Sequence, residues 1–332
     1  MTLDSKRDLR FALWSVELLK GKAFQDELGY RTLSLTVSMY EHGQANDFEM
    51  TVENRDGYFS DPSKIQLGDE VKFYVWFADK TPVALGTFTI DEIENSAPPS
   101  IVRLSGLSSD TVSKELRTLK TRGFEGTSLH KIVEDIAREH GFTLVIEGKD
   151  IRLERKEQKE EHDLRFLTRL AEEYGYNFRI DGTKLYFIAM EVDEAKPALS
   201  IKGLLKSRTF RYKTFKTFQK SIVRYYDPTT KEFIEVEERD PKIDTSNLIK
   251  MTIRAESREQ AERIAKSSLR RKNRKQIEGE FECMGVPELQ AGINILVEGE
   301  GEMFDGTWHI EEAHHEYSKD TGYTVRLRGY KL

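Results

Sequence analysis

Three of the seven histidines, His309, His314 and His315, lie with Glu311 and Glu312 inside one seven-residue run. Imidazoles and carboxylates are the side chains that hold a catalytic zinc with one position left for water, so metal-assisted hydrolysis would be sought here first. The spacing argues against it. In an extended strand His309 and Glu311 share one face while His314 falls on the opposite one, so three ligands do not converge as in a helical H-E-x-x-H site. These residues are expected on strand surfaces and turns, and no metal or other cofactor is expected. A metal-dependent cell-wall hydrolase is the competing enzyme class; finding stoichiometric zinc in the purified protein would favour it.

The acidic pairs Asp91-Glu92 and Glu311-Glu312 carry the groups a glycosidase uses, which must stand roughly 5–9.5 Å apart in one cleft. Both pairs occupy equivalent places in an internal repeat described below, which points to a structural role. Neither G-x-x-x-x-G-K-[ST] nor G-x-S-x-G occurs. The lone cysteine, Cys283, can form no intramolecular disulfide and is expected half-buried in a strand. The basic run Arg270-Arg271-Lys272-Asn273-Arg274-Lys275 ends an expected helix, where cations complement the helix dipole and would be solvated. No aromatic residues interleave with it, as stacking on single-stranded nucleic acid would require. A nucleic-acid- or carbohydrate-binding module would rest on that run and on exposed aromatics such as Tyr225 and Tyr226. No catalytic, cofactor-binding or metal residue is assigned.

A chain of 332 residues is long enough for two or three domains with cores of their own. Its net charge of −6 argues against whole-molecule attraction to DNA or anionic lipid, and no specific nucleic-acid partner is expected. No apolar run approaches the roughly 18 residues that cross a bilayer as a helix, and no membrane association is expected. The first residues, Met1 to Lys22, alternate charged and apolar side chains and are not read as a secretion signal.

The elements that must position these residues are mainly β. Residues 1–113 hold short alternating or β-branched segments, Leu33–Met39, Phe48–Val52, Val71–Phe77, Thr87–Ile90 and Ile101–Leu104, separated by turn residues such as Asn54-Arg55-Asp56-Gly57. The texture changes near Gly123. Thr127 or Ser128 caps a helix with apolar positions at Leu129, Ile132, Val133, Ile136 and Ala137, Gly141 stops it, and a strand, Phe142–Ile146, follows. The charged stretch Arg155–Glu161 reads as a solvated loop. A second helix through Leu164, Phe166, Leu167, Leu170 and Ala171 ends at Gly175, before a hairpin through Asp181-Gly182. Residues 114–196 are thus a small α+β domain. Residues 197–332 return to β, with one helix capped by Ser257 and Gln260.

The two β regions resemble each other. Gly86-Thr87-Phe88-Thr89-Ile90-Asp91-Glu92 matches Gly306-Thr307-Trp308-His309-Ile310-Glu311-Glu312. Upstream, Ile65–Gly68 matches Leu289–Gly292; downstream, Val102-Arg103-Leu104-Ser105-Gly106 matches Val325-Arg326-Leu327-Arg328-Gly329. Three blocks in the same order imply a duplicated β module. The expected fold is α+β, mainly β: two similar barrels, residues 1–113 and 197–332, separated by the domain 114–196. A trimer of such a chain has pseudo-sixfold symmetry.

The stretch Glu160–Phe187 resembles the central segment of the phage late control gene D family. Asp163, Phe166, Leu167, Leu170, Ala171, Gly175, Tyr176, Phe178, Leu185 and Phe187 fit its pattern, and His162 stands where serine is expected. Gly285–Gly292, Gly306-Thr307-Trp308, His314 and Gly322-Tyr323-Thr324 fit its C-terminal part. The resemblance implies a non-enzymatic baseplate hub, related to the hub portion of type VI secretion spike proteins. In that reading two tube-like barrels per chain form a trimeric, pseudo-hexameric ring adapting the hexameric tail tube to a trimeric central spike. Its implied partners are the tail tube protein, a separate spike protein and baseplate wedge proteins, with the tape-measure protein a further candidate. Its implied place is the tail baseplate of a particle assembled in the host bacterial cytoplasm. A hub of a long non-contractile tail is the variant reading.

Overall fold

The computed structural model describes residues 12–18, 25–42, 45–77, 81–108, 116, 118–181, 183–214, 217–227, 230–253, 255 and 257–332. The first β region contains β1 (Ala12–Leu18), α1 (Gln25–Arg31), β2 (Thr32–Tyr40), β3 (Asp47–Glu53), β4 (Glu70–Phe77), β5 (Val83–Ser96) and β6 (Ile101–Ser108). The alternation read in the sequence is the alternation of burial: along β4, Val71, Phe73, Val75 and Phe77 point inward and their neighbours outward. The middle region contains β7 (Leu119–Ser128), α2 (Leu129–Glu139), β8 (Thr143–Glu147), β9 (Arg152–His162), α3 (Asp163–Tyr174), β10 (Tyr176–Asp181), β11 (Lys184–Ala189) and α4 (Met190–Glu194). The last region runs through β12 (Ala198–Ser200), β13 (Leu205–Tyr212), β14 (Lys220–Asp227), β15 (Glu232–Arg239), β16 (Leu248–Ile253), α5 (Arg258–Asn273), β17 (Ile277–Met284), β18 (Asn294–Val297), β19 (Gly306–Ser318) and β20 (Gly322–Lys331).

The two outer β regions are joined into one sheet. Its order is β1-β4-β5-β6-β3-β2-β19-β20-β17-β13, with β18 on the other side of the start of β19 and β12 beyond it. Two closed barrels were expected; among the described residues no strand order closes on itself, and one core cluster runs through both regions. Residues 220–273 leave this sheet altogether: β15-β14-β16 form a small sheet of their own, against which α5 packs Ala261, Ile264 and Ala265.

The duplication is visible in the ladders. β5 and β6 pair Ile90 with Gly106 and then Glu92 with Ser105, leaving Asp91 as a bulge. β19 and β20 pair Ile310 with Gly329 and then Glu312 with Arg328, leaving Glu311 as the same bulge. The opposed glycines have one cause. A Cβ on Gly106 would stand 1.9 Å from the Thr89 carbonyl oxygen, and one on Gly329 would stand 2.0 Å from that of His309. Upstream, Gly68 N–H donates to Ile90 O and Ile90 N–H to Asp69 O, just as Gly292 donates to Ile310 O and Ile310 to Ile293 O. Further out, Val52, Met50 and Phe48 of β3 oppose Val102, Leu104 and Gly106, as Cys283, Phe281 and Gly279 of β17 oppose Val325, Leu327 and Gly329. The aromatic positions then fill equivalent cores, Phe88 with Phe48 and Phe73, Trp308 with Phe281 and Phe210. Each fully buried ring of this size stabilises its unit by about 2–3 kcal/mol.

Several local expectations are corrected. Arg155–Glu161 is not a solvated loop but most of β9, a strand paired with β7. Its charges pair laterally, Arg155 with Glu125 and Lys156 with Glu173, while Gln158 turns inward, so a sequence with few apolar residues still sustains a ribbon. Cys283 is fully buried, and burial pushes its thiol up to about 12. Tyr225 is buried against α5; Tyr226 is exposed. The helix signals fared better. Ser128 caps α2, accepting from Lys131 N–H, and Ser257 caps α5, accepting from Gln260 N–H. His162 does the work of a capping serine, its Nδ1 accepting from Arg165 N–H at 3.1 Å.

Candidate functional site

The histidine run on β19 is divided by the Glu311 bulge. An extra residue reverses the parity of a strand, so His309 and His314, expected on opposite faces, lie on the same one and the core side passes from Trp308 and Ile310 to Ala313 and His315. The ligands still do not meet. His315 is buried with Nδ1 2.7 Å from Tyr323 Oη, and burial lowers its pKa to about 3. His314 lies edge-on to Tyr40 of β2, and His309 turns into a buried polar junction.

That junction is where the three regions meet. Glu41, just beyond β2, places Oε2 2.9 Å from His309 Nε2 and receives Asn177 Nδ2 of β10 on Oε1 at 3.1 Å. Asn177 Nδ2 also lies 2.9 Å from Asp193 Oδ2 on α4, whose other oxygen pairs with Lys196. Asn294 of β18 donates to the carbonyls of Asp193, Glu194 and Lys196, so its Oδ1 faces His309 Nδ1 at 2.7 Å and fixes a proton on that nitrogen. A second proton, on Nε2, makes the imidazole a cation 2.9 Å from the Glu41 carboxylate. Burial alone would lower the pKa of His309, but the Glu41 charge and hydrogen bond overcome it and hold it above the ordinary 6.5. Burial raises the Glu41 carboxyl, with the His309 charge working against that rise. With both groups charged, the junction holds a buried ion pair.

The basic run expected to be solvated closes the junction from the side. Arg274 reaches Glu311 at 3.1 Å and lies over the Tyr330 ring, Lys275 takes the other Glu311 oxygen at 2.8 Å, and Arg270 pairs with Glu194. Arg271 donates to the Tyr176 carbonyl at 2.8 Å. Only Lys272 and Lys275 of the run are exposed. Sequence reasoning missed the junction because its members are far apart in the chain: Glu41, Asn177, Asp193 and Asn294 carry no local motif, and only folding makes them neighbours of His309.

A second cluster surrounds Asp163 at the start of α3. Its fully buried carboxylate receives Lys120 at 2.6 Å, Arg122 at 2.9 Å, His140 at 2.7 Å and Gln158 at 2.8 Å. Burial would raise its pKa, but these donors hold it below the ordinary 3.8. Among the described residues, Glu41-Asp193-His309 and Glu139-His140-Asp163 are the groups close enough to grip a metal ion. In both, lysine, arginine or amide donors already occupy the carboxylates, so a cation would have to displace them; the donor sets fit internal fastening better than metal binding. The chemistry of the site is cohesion between regions.

Residues 115–321 match the family model of the phage tail baseplate hub (GPD). The probable baseplate hub protein of Escherichia phage P2 is 25% identical over 173 residues, 52% of this chain and 44% of the relative. The chain spans about half the length of the curated relatives it matches. Among solved structures, the 43 kDa tail protein of prophage MuSo2 from Shewanella oneidensis shares the fold at a TM-score of 0.73 and 15% identity, covering 97% of this chain and 98% of that one. An E. coli component of the type VI secretion system does so at a TM-score of 0.59 and 14% identity, over 96% of this chain and 77% of that one.

Proposed function

The chain belongs to the phage tail baseplate hub (GPD) family, and from that membership we propose that it is the non-enzymatic hub of a phage or phage-like contractile tail. In this reading three chains form a ring of six similar β units, with tube protein stacked on one face and a separate trimeric spike on the other. Wedge proteins contact the flanks, and the assembly sits in the tail baseplate of a particle built in the bacterial cytoplasm. The observation that carries the proposal is the repeated β unit, with the same bulge, the same opposed glycine and the same pair of upstream hydrogen bonds in both copies. Two such units on one chain give a threefold object six nearly equivalent places, which is what docking between a sixfold and a threefold partner requires. The buried junction supports the reading, because an adaptor transmitting load needs its units fixed to one another. Native mass spectrometry tests it: the purified protein, alone or with its spike, is expected to be trimeric. A chain that stays monomeric at high concentration and hydrolyses a cell-wall polymer would defeat it.

A further inference from the structure

Resting on that trimeric reading, we propose which strand edges join one chain to the next: β13 of one copy pairs antiparallel with the second half of β5 of its neighbour, in the register set by the chain's own internal seam. Within the chain, β2 lies against the second half of β19, pairing Tyr40 with Glu312, Met39 with Ala313 and Ser38 with His314. The duplication supplies the equivalents. β5 corresponds to β19, Glu92 standing for Glu312 and Glu94 for His314. β13 corresponds to β2: each is the outer neighbour of an equivalent strand, and each carries a register shift at the same place, between Thr32 and Ser34 and between Leu205 and Ser207.

Both equivalents are open. Among the described residues β13 has β17 as its one ladder partner, and residues 92–96 pair with β6 alone, because the ladder of β5 with β4 stops at the pair of Thr89 with Glu70. Burial follows the same division: Leu35, Val37, Ser38 and Met39 of β2 are buried, whereas most of β13, including Arg211 and Tyr212, and Glu92 and Glu94 of β5 are exposed. An open edge is a template for another strand.

Carrying the register across places Lys213 opposite Glu92, Tyr212 opposite Ile93, Arg211 opposite Glu94 and Phe210 opposite Asn95. Both ion pairs come out with opposite signs, and nothing in the mapping used charge. The edges are themselves complementary: β13 carries Lys206, Arg208 and Arg211 and no acid, while residues 91–96 carry Asp91, Glu92 and Glu94 and no base. Arg211 already pairs inward with Glu280 and Glu94 with Arg103, so docking would lay down an alternating row of acid and base across four strands. Like edges repel and unlike ones attract, which selects a head-to-tail ring of copies over a symmetric dimer. The occupant is thus a second copy of this chain.

The backbone pattern chooses the test. Glu41 N–H donates to Glu311 O and Lys319 N–H to Leu33 O, so pairs such as Ser38 with His314 are the non-hydrogen-bonded ones with closer side chains. Their counterpart is Arg211 with Glu94. The variant Glu94→Cys with Arg211→Cys changes two half-exposed residues and is expected to oxidise to a disulfide-closed trimer, whereas Glu94→Cys with Thr209→Cys, offset by two residues, is not. Charge reversal reads the same seam: Arg211→Glu alone should weaken trimerisation about tenfold or more, and Glu94→Arg added to it should restore most of the loss. A protein that is trimeric by native mass spectrometry but gives no cross-link at 94–211 overturns this assignment and leaves the trimer standing. A monomer overturns the trimer itself, and the seam with it.

Discussion

Replacing Glu41 by glutamine keeps the shape of the junction and the acceptor for Asn177 but removes the charge facing His309. Removing one partner of a buried ion pair costs about 3–5 kcal/mol. Because the amide retains one hydrogen bond, and His309 can shed its proton, the lower end, about 3 kcal/mol at pH 7, is expected. The pH dependence is the sharper signature. In Glu41→Gln the cause of the raised His309 pKa is gone and burial now lowers it, so the unfolded chain takes up a proton near pH 6.5 that the folded one refuses; this variant loses stability as pH falls through that range. His309→Gln does the reverse. It leaves the Glu41 carboxyl buried without its imidazolium, with a folded pKa raised above the unfolded one, so stability is retained at low pH and lost as pH rises above about 4.5. Urea unfolding of the wild type, both single variants and the double variant from pH 5 to 8 gives the coupling energy directly. A coupling below about 0.5 kcal/mol at pH 6, or single variants with parallel pH profiles, would refute the claim that this pair fastens the two β regions.

The bulge glycines are expected to be intolerant of a single methyl group. Gly106→Ala and Gly329→Ala each drive a Cβ into a backbone carbonyl that no rotamer can move, and each should lower the urea midpoint by the equivalent of about 2 kcal/mol or more, with the alternative outcome, no change, showing that the bulge can open at little cost. Asp163→Asn should cost roughly 3 kcal/mol by leaving Lys120, Arg122 and His140 around a neutral side chain. Since these donors depress the folded pKa of Asp163, its contribution is present above the unfolded value of 3.8 and lost as pH falls below it. Acid titration followed by circular dichroism should therefore show wild type and variant converging at low pH.

What could be read from the sequence was whatever a local pattern encodes. The two helices of the middle region follow from apolar stripes ended by glycine, with Thr127 or Ser128 ahead of the first, and the structure places α2, α3 and Gly175 accordingly, while the capping by His162 was seen only in the structure. The repeat was legible partly because both copies keep a glycine opposite the isoleucine that precedes the bulge, so geometry left a trace in residue identity. The bulge itself was not, and with it went the facing of His309 relative to His314: one unpaired residue inverts a strand without altering its composition. Nor could Arg270, Arg271 and Arg274 be told from solvated cations, since a helix end rich in arginine looks the same whether water or Glu194, Glu311 and the Tyr176 carbonyl receives it. Two separate barrels were expected because turn spacing defines strands but says nothing about which edges remain unpaired.

The same edges explain why the copies have diverged where they have. The seam inside the chain forms between covalently linked strands and never has to remain soluble apart, so β2 can present Leu35, Val37 and Met39 to the core and uncharged Ser38 and Tyr40 to the other face. In the proposed ring the corresponding edge β13 meets another chain and stays open until it does, and an apolar open strand there would invite pairing with any exposed edge. Lysine and arginine at those positions keep the free chain apart from its like, while acids at 92 and 94 make one partner strand acceptable. On this argument the unlike residues of the equivalent strands β2 and β13 answer to different constraints, and neutralising Arg208, Arg211 and Lys213 together should yield a chain that associates without register rather than one that merely associates less.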